Sequence, residues 1–475
     1  MEKHPNFMQV QANPLIESFN NFYKKTEEKD AINIDMVSRE HIKPASPTPE
    51  HLRYHKLSMF DQTQSSIYHP FTFFYQNCNP KKKVEETIRE QSKYLKQSLS
   101  DMLTRFYPFA GKVGSELHIE CNDDGVYYIE TRVDECLMTV LEKPDKKFLQ
   151  RLAPVVVSVP NQPLSGSYIS MVQINFFNCG GVAITVQHNH KLVDGGSFMI
   201  FLKAWAAMDR KDPNQIYPSF VSSSTFPQNT QLPSSPYIPL WCLTMSPALL
   251  KLGKCSCKRF VFEPLALREL KAKASKHQPV SRITAVLALL WKCVTTETQS
   301  KPSILHVPVN IRSRCSPPLP ESAVGNNLLG TYAKFDPDTS DLDVASMAGK
   351  LRNAISSVDS NMIEELKREK GHIRFVESMR SSMETFSDYK REYYLTTSMC
   401  NSGTNEVDFG WGKPVWSSYG NINEDIPLFM NRVILMDSCS NGGIEVWVTL
   451  EEHVMDVVTC NPELLSFAKV DPSPL

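Results

Sequence analysis

The sequence predicts an α/β protein built from two domains. Strand-like and helix-like patterns alternate in both halves, which favours helices layered on sheets. The chain has 475 residues, a length that accommodates two large units. A proline- and serine-rich stretch without a long periodic segment separates the halves. We therefore predict a polar leader over 1–40, an N-terminal domain over 41–208, a crossover linker over 209–257 and a C-terminal domain over 258–475.

The N-terminal half opens with a helix and then a pair of strands. Apolar residues recur at three- to seven-residue steps and predict a helix over 86–106. Strands are expected at 118–121 and 126–131 because a turn sequence, 122–125, lies between two short apolar runs.

The C-terminal half resumes with a strand at 259–262. A helix is predicted over 264–275 and another over 281–296. The second carries Ile283, Val286, Leu287, Leu290 and Val294, a spacing that places the apolar side chains on one helix face.

Composition limits the partners and the location. The formal net charge is −1, so we expect no nucleic-acid partner and no binding to anionic membranes. No apolar run reaches about 18 residues, and the polar N-terminus lacks a signal-peptide core, so neither a membrane span nor secretion is expected. The 12 cysteines form no CxxC pair, which predicts a cytoplasmic protein with reduced thiols and no metal site.

The segment 181–196 contains the side chains that could act in catalysis. Residues 182–187 alternate as a core strand, and its continuation would put His188 and His190 on an apolar face. Asp194-Gly195-Gly196 then predicts a turn. Ser197 is the predicted cap of a helix whose buried face comprises Phe198, Phe201, Leu202, Trp205 and Met208.

A histidine at the end of a core strand suits proton transfer. Imidazole titrates near pH ~6.5, so His190 could take a proton from an alcohol. A hydrogen-bonded core histidine is the plainer alternative, and a metal site formed by His188, His190 and Asp194 is another. Asp194 could orient the histidine, or it could fix the turn by pairing with a distant arginine. The tight turn at Gly195 and Gly196 favours the second role.

A second motif lies near the C-terminus, where residues 408–414 read Asp-Phe-Gly-Trp-Gly-Lys-Pro. Together with His190-Lys191-Leu192-Val193-Asp194-Gly195, in this order, it resembles the motif pair of the plant BAHD acyltransferases. Further matching blocks include Tyr107–Gly111, Phe177–Gly181 and Val309–Arg314, so the similarity spans about 40–468. Within the family, the chain is most similar to the branch typified by vinorine synthase, which acylates alkaloid alcohols.

The resemblance implies two similar chloramphenicol-acetyltransferase-like domains joined by a long crossover loop, with a channel between them. Acyl-CoA would be the co-substrate and a small-molecule alcohol the acceptor, with no permanently bound cofactor or metal and a monomeric state. The implied reaction esterifies a hydroxyl of a specialised metabolite, such as an alkaloid alcohol, with acetyl-CoA. The alternatives are a sugar or amine acceptor, or a catalytically impaired scaffold.

The resemblance also implies roles for individual residues. His190 would be the general base in mid-channel, and Asp194 would pair with Arg312 beside Gly195. Asp408 would be remote from the reaction centre and would order the loop that contains Gly410, Trp411 and Gly412. The sequence has no G-x-S-x-G nucleophile elbow, which favours direct transfer without a covalent acyl-enzyme.

One departure from the family pattern concerns the oxyanion of the tetrahedral intermediate. Met399 stands where relatives often carry a tryptophan whose N–H helps to hold this oxyanion. A lost donor of this kind costs ~10²–10³ in rate. Thr397 and Ser398 are the candidate substitutes, and Asn189, which stands where the family often has serine, is expected to reshape the pocket mildly.

Overall fold

The computed structural model describes residues 32–64, 66–154, 165–230, 249, 251–298, 301–338, 341–386, 391–420, 424, 428–439 and 442–475. Within these ranges, no helix combines the length and the apolar character needed to cross a membrane.

The described strands, in chain order, are β1 (Ile34–Ile42), β2 (Tyr54–Lys56), β3 (Tyr68–Tyr75), β4 (Lys112–Val113), β5 (His118–Glu120), β6 (Val126–Val133), β7 (Ser170–Phe177), β8 (Val182–Asn189), β9 (Lys251–Leu252), β10 (Cys255–Phe262), β11 (Ser303–Asn310), β12 (Leu328–Phe335), β13 (Glu392–Ser398), β14 (Trp416–Tyr419), β15 (Leu428–Phe429), β16 (Arg432–Asp437), β17 (Ile444–Glu451) and β18 (Ala468–Val470).

The described helices are α1 (Met59–Thr63), α2 (Val84–Leu103), α3 (Leu137–Glu142), α4 (Lys146–Arg151), α5 (Gly195–Asp209), α6 (Ser222–Thr225), α7 (Pro264–Ala274), α8 (Arg282–Glu297), α9 (Val344–Ser357), α10 (Ser360–Lys367), α11 (Gly371–Phe386), α12 (Glu452–Val458) and α13 (Pro462–Leu465). The helices and strands predicted from the sequence are all present, with ends that differ by a few residues.

The N-terminal half is organised around a six-stranded mixed sheet in the order β1-β6-β7-β8-β3-β14. Every residue of β7 and β8 is buried, because both faces of these central strands are covered. Helices α2 and α5 pack together, and Trp205 of α5 donates its indole N–H to the Leu95 carbonyl oxygen at 3.2 Å.

The C-terminal half contains a seven-stranded sheet in the order β12-β11-β13-β16-β17-β10-β18. Helix α8 packs against α7 and α9 beside this sheet. Ser281 caps α8 by accepting a hydrogen bond from the Thr284 backbone N–H, and the predicted apolar stripe is part of the core. The α/β prediction and the presence of two sheet-rich domains are confirmed.

The exact domain boundaries stay a prediction, and two features cross them. Residues 34–40 of the expected leader belong to β1, an edge strand whose backbone pairs with β6 although five of its nine residues are polar and only Ile42 is buried. Strand β14, from the expected C-terminal domain, pairs with β3 of the first sheet. Residues 1–31 of the leader lie outside the described residues.

The expected linker over 209–257 is only partly described, since 231–248 and 250 lie outside the described residues. The described part contains the short helix α6 and the short strand β9. Strand β10 begins at Cys255, before the predicted end of the linker, because its register with β17 extends from Cys255 to Phe262.

Helix α5 begins three residues earlier than predicted. Its N-cap is Asp194 rather than Ser197, because the Asp194 carboxylate accepts a hydrogen bond from the Ser197 backbone N–H at 2.8 Å. Gly195 and Gly196 therefore form the first helical turn.

Candidate active site

A cavity of about 470 Å³ is lined by residues from both halves of the chain. This size suits a small-molecule ligand. The walls are largely apolar, with a few imidazole, hydroxyl and guanidinium groups. The lining includes His69, Phe71, His190, Gly195, Phe198, His306, Leu329, Thr397, Met399, Tyr419, Arg432 and Ile434.

His190 directly follows β8, and its ring is accessible from the cavity. The side chain is partly exposed rather than sealed in the core. Nδ1 is the buried ring nitrogen, which leaves Nε2 to face the cavity. The backbone is fixed on both sides: the His190 N–H donates to the Ile67 carbonyl oxygen at 2.8 Å, and the His190 carbonyl oxygen accepts from Asn326 Nδ2 at 2.9 Å.

Burial lowers the pKa of His190 below its usual value of 6.5. The backbone carbonyl of His190 itself, the charge of Asp194 and the Asn326 side chain act in the opposite direction without cancelling the shift. The imidazole is therefore neutral at physiological pH, which is the state a general base requires.

His188 has a different environment, although it is only two residues away. Its Nδ1 lies 2.8 Å from Ser170 Oγ, and its ring packs on Phe109, Phe198 and Phe201. Burial lowers the pKa of His188 to about 3. The plainer alternative, a hydrogen-bonded core histidine, thus describes His188. In the described part of the chain, no group of three His, Cys, Asp or Glu side chains is placed to hold a metal.

Asp194 forms the expected ion pair with Arg312. The pair is bidentate, with Arg312 Nη1 2.8 Å from Oδ2 and Nη2 2.8 Å from Oδ1. Ser197 and the Asn327 backbone N–H also donate to the carboxylate. With five donors, the Asp194 oxygens have no capacity left to orient His190. Of the two roles considered for Asp194, the geometry matches the one that fixes the turn.

The two glycines after Asp194 make room for neighbouring side chains. A Cβ on Gly195 would lie 2.6 Å from Met399 Sδ, and one on Gly196 would lie 2.8 Å from Arg312 Nη1. Met399 is flexible at its end, whereas the guanidinium is held by several hydrogen bonds.

We expect Gly196→Ala to lower stability more than Gly195→Ala. The alanine at 196 would displace the Arg312 guanidinium, which is fixed in an ion pair, whereas the alanine at 195 would displace only the flexible end of Met399. Overpacking of this kind costs about 1–3 kcal/mol. Thermal unfolding of the two variants provides the comparison. An equal or smaller loss of Tm in Gly196→Ala would show that the guanidinium is not tightly held.

The candidate substitutes for the missing oxyanion donor do not all reach the cavity. Thr397 and Met399 line it, but Ser398 is not among the described lining residues. Ser398 Oγ instead accepts a hydrogen bond from the Cys400 backbone N–H at 3.2 Å. Ser398 thus lies outside the described lining, and the role of Thr397 or Ser398 as an oxyanion donor stays a prediction.

Asn189 is also directed away from the cavity. It is fully buried, its Nδ2 donates to Ser66 Oγ at 2.7 Å, and its Oδ1 accepts from the Lys191 backbone N–H at 3.0 Å. These bonds shape the turn after β8. Asn189 is therefore not among the described lining residues, and a mild effect on the pocket through this turn stays a prediction.

Asp408 orders a loop and is not among the described residues that line the cavity. Its Oδ1 accepts backbone hydrogen bonds from Gly410 at 2.7 Å and from Gly412 at 2.9 Å. Both glycines have positive φ, 92° and 96°, a conformation that favours glycine. Trp411 packs against Tyr75 and Phe409. This geometry fits the supporting role that was expected.

Sequence reasoning missed two residues beside His190. Asn326 connects the His190 carbonyl oxygen to Asp61, whose Oδ1 accepts from Asn326 Nδ2 at 2.8 Å. His69 lines the cavity next to the His190 ring, at 5.5 Å between centroids. The signal for His69 was available, since it is a polar imidazole in the apolar strand β3. Asn326 carries no comparable signal.

The geometry agrees with comparisons to known proteins. The family model described as the Transferase family matches residues 32–465. This chain belongs to the BAHD acyltransferase family. It is therefore an enzyme that uses acyl-CoA as co-substrate to acylate a specialised metabolite at a hydroxyl group.

Three relatives illustrate the family relationship. The chain is 34% identical to epi-neemfruitin B 7-O-acetyltransferase of Melia azedarach, over 93% of this chain and 99% of the relative. It is 33% identical to limonoid 7-O-acetyltransferase of Citrus sinensis, with the same coverage. The crystal structure of vinorine synthase has a TM-score of 0.76 and 30% identity over 93% of this chain and 100% of that chain. The BAHD acyltransferase prediction and its similarity to the vinorine synthase branch are confirmed.

Proposed function

We propose that this BAHD acyltransferase transfers an acetyl group from acetyl-CoA directly to a hydroxyl of a polycyclic limonoid or alkaloid, with His190 as the general base. The observation that carries the proposal is a neutral imidazole with Nε2 facing a cavity lined by both halves of the chain. A base must lie within hydrogen-bond reach of the proton it removes, and Nε2 is accessible to such a proton.

In the proposed mechanism, His190 Nε2 takes the proton from the acceptor hydroxyl while the oxygen attacks the thioester carbonyl. The tetrahedral intermediate collapses by breaking the carbon–sulfur bond, and the leaving thiolate takes the proton from His190. Asp194 and Arg312 hold the start of α5, and Asp408 holds its own loop, so neither acidic residue transfers a proton.

The walls of the cavity support an apolar acceptor. Phe71, Phe198, Leu329 and Ile434 line it, and its volume of about 470 Å³ is in the range of pockets for drug-sized molecules. The limonoid relatives and the vinorine synthase structure support polycyclic alcohols over sugars.

A screen with purified enzyme tests the reaction. Acetyl-CoA and malonyl-CoA are each incubated with a panel of limonoid, alkaloid, amine and sugar acceptors, and thiol release is measured together with product mass. We expect acetyl esters of polycyclic alcohols. Exclusive N-acylation or sugar acylation would refute the proposed acceptor class, and thiol release without any acylated product would refute transfer.

The lowered pKa of His190 predicts the pH dependence of the reaction. The base is active when unprotonated, so kcat/KM for the acceptor should be level above pH 6.5 and fall only below it, as His190 gains a proton. Initial rates between about pH 5 and 8 give the profile. A single acid limb centred above pH 7 would mean that another group or a raised His190 pKa controls the rate.

We further propose a monomer located in the cytoplasm. The cysteines in the described part of the chain are all free thiols, which supports a reducing compartment.

A further inference from the structure

Another imidazole, that of His306, lines the cavity from the C-terminal half of the chain. It lies in β11, and its side chain is partly exposed. Its neighbours in the cavity wall include Pro308, two residues along the same strand, and Leu395, its partner in β13. The His306 ring packs against Tyr332, with centroids 5.3 Å apart. The imidazole thus places a polar group in a largely apolar wall.

The ring nitrogens of His306 are available to a ligand. In the part of the chain that the structure describes, neither nitrogen has a hydrogen-bond partner, and neither is fully buried. The hydrogen bond that Thr396 Oγ1 donates at 2.8 Å goes to the His306 backbone carbonyl oxygen. Burial lowers the pKa of His306 to about 4. The ring is therefore neutral at physiological pH and offers one donor and one acceptor.

Gly330 of β12 leaves the Nε2 atom of His306 uncovered. Gly330 also lines the cavity, and a Cβ at this position would lie 2.6 Å from His306 Nε2. The φ of Gly330 lies outside the positive range that favours glycine, so the backbone conformation does not require this residue. The lack of a side chain here instead keeps the space beside Nε2 open.

The cavity connects His306 to His190. Asn326 Nδ2 donates to the His190 carbonyl oxygen at 2.9 Å, and Gly330 follows Asn326 by four residues. Four residues of chain span at most about 14 Å. Since both imidazoles line the same cavity, one polycyclic molecule can contact both of them with different groups.

We propose that His306 is a specificity-determining residue that hydrogen-bonds a second hydroxyl of the acceptor, remote from the hydroxyl that is acylated at His190. A hydroxyl can both donate and accept, so it pairs with Nε2 whichever ring nitrogen carries the proton. The preferred acceptor is therefore a polycyclic molecule with at least two hydroxyls. This inference rests on the proposed function of the cavity as the acceptor site.

The test pairs two enzymes with two substrates. The best acceptor from the acetyl-CoA screen is compared with its analogue lacking the second hydroxyl, in the wild type and in His306→Phe, which keeps a ring but no hydrogen-bonding group. In the wild type, kcat/KM should favour the diol by about 5- to 100-fold, because the analogue leaves the imidazole unpaired. In His306→Phe this ratio should fall to about one or below. The ratio compares two substrates on one enzyme, so a loss of folded protein does not change it.

Two further variants separate the hydrogen bond from packing. Gly330→Ala should also lower the ratio, although it retains the imidazole, because the added methyl group meets Nε2. His277→Phe makes the same exchange at an exposed histidine outside the described lining and should keep the wild-type ratio. The proposal is overturned if the best acceptor carries no second hydroxyl, or if either His306→Phe or Gly330→Ala keeps the wild-type ratio. An unchanged ratio with a raised KM for acetyl-CoA would place His306 at the CoA instead.

Calorimetric binding without acetyl-CoA separates this inference from the proposed function. If no alcohol is acylated, the panel alcohol that binds most tightly takes the place of the best acceptor. Tighter binding of the diol than of its analogue by the wild type, lost in His306→Phe, would then support the His306 assignment although the proposed function fails. Equal affinity of the wild type for the two molecules would overturn the assignment.

Discussion

Replacing His190 with alanine is expected to lower kcat for acetyl transfer by about 10²–10⁴-fold, the contribution typical of a positioned general base. Tm should change little, because the ring is partly exposed to the cavity and the contacts that fix this turn are made by the backbone. Thiol release from acetyl-CoA in the presence of the alcohol, together with thermal unfolding, measures both effects.

His188→Ala provides the matched control, since the same residue type is removed two positions away. His188 packs among three phenylalanines and is hydrogen-bonded to Ser170, so its loss should lower Tm while the base is retained. Near-normal turnover in His190→Ala, or an equal loss of Tm in both variants, would contradict the role given to His190.

Arg312→Met is expected to destabilise the enzyme by about 3–5 kcal/mol, because it leaves the buried Asp194 carboxylate without its counter-ion. Asp194 is 1% exposed and Arg312 8% exposed, so water cannot replace the lost interaction. Tm should fall by roughly 5–20 °C. Asp194→Asn is the companion variant. It should cost less because asparagine keeps the helix-cap acceptor for Ser197, and the Arg312 guanidinium retains its hydrogen bonds to the Ala323 and Gly325 carbonyl oxygens.

The stability that the Asp194–Arg312 ion pair contributes depends on pH in a defined direction. Burial alone would raise the pKa of Asp194, but the charge and hydrogen bonds of Arg312 outweigh it and hold the pKa below its usual value. The ion pair therefore contributes fully above about pH 4, and its contribution disappears on further acidification. Activity loss in Arg312→Met with an unchanged Tm would instead place Arg312 in the chemistry.

The sequence predicted the fold most successfully where the information is local. The α8 stripe and the turn between β5 and β6 depend on residues a few positions apart. Strand β14 could not be placed in the first sheet, because its pairing with β3 joins residues more than 300 positions apart. Strand β1 was missed since an edge strand can be polar and still pair through its backbone.

The candidate site was also predictable only in part from local sequence. The Asp194–Arg312 pair came from a family resemblance, because no local pattern links residues 118 positions apart. The orientation of Ser398 and Asn189 depends on strand register and on turn hydrogen bonds, which residue identity alone does not determine. The preference for Asp194 over Ser197 as the helix cap arises because one carboxylate binds both the cap donors and Arg312.

The most direct test of the catalytic assignment is a crystal structure of the enzyme with CoA and the preferred alcohol. The acceptor hydroxyl oxygen should lie about 2.6–3.2 Å from His190 Nε2, with the CoA sulfur beside the same oxygen. A His190 ring closed off from both ligands, or a hydroxyl bound instead to Asp408 or Thr397 and out of reach of Nε2, would contradict His190 as the base.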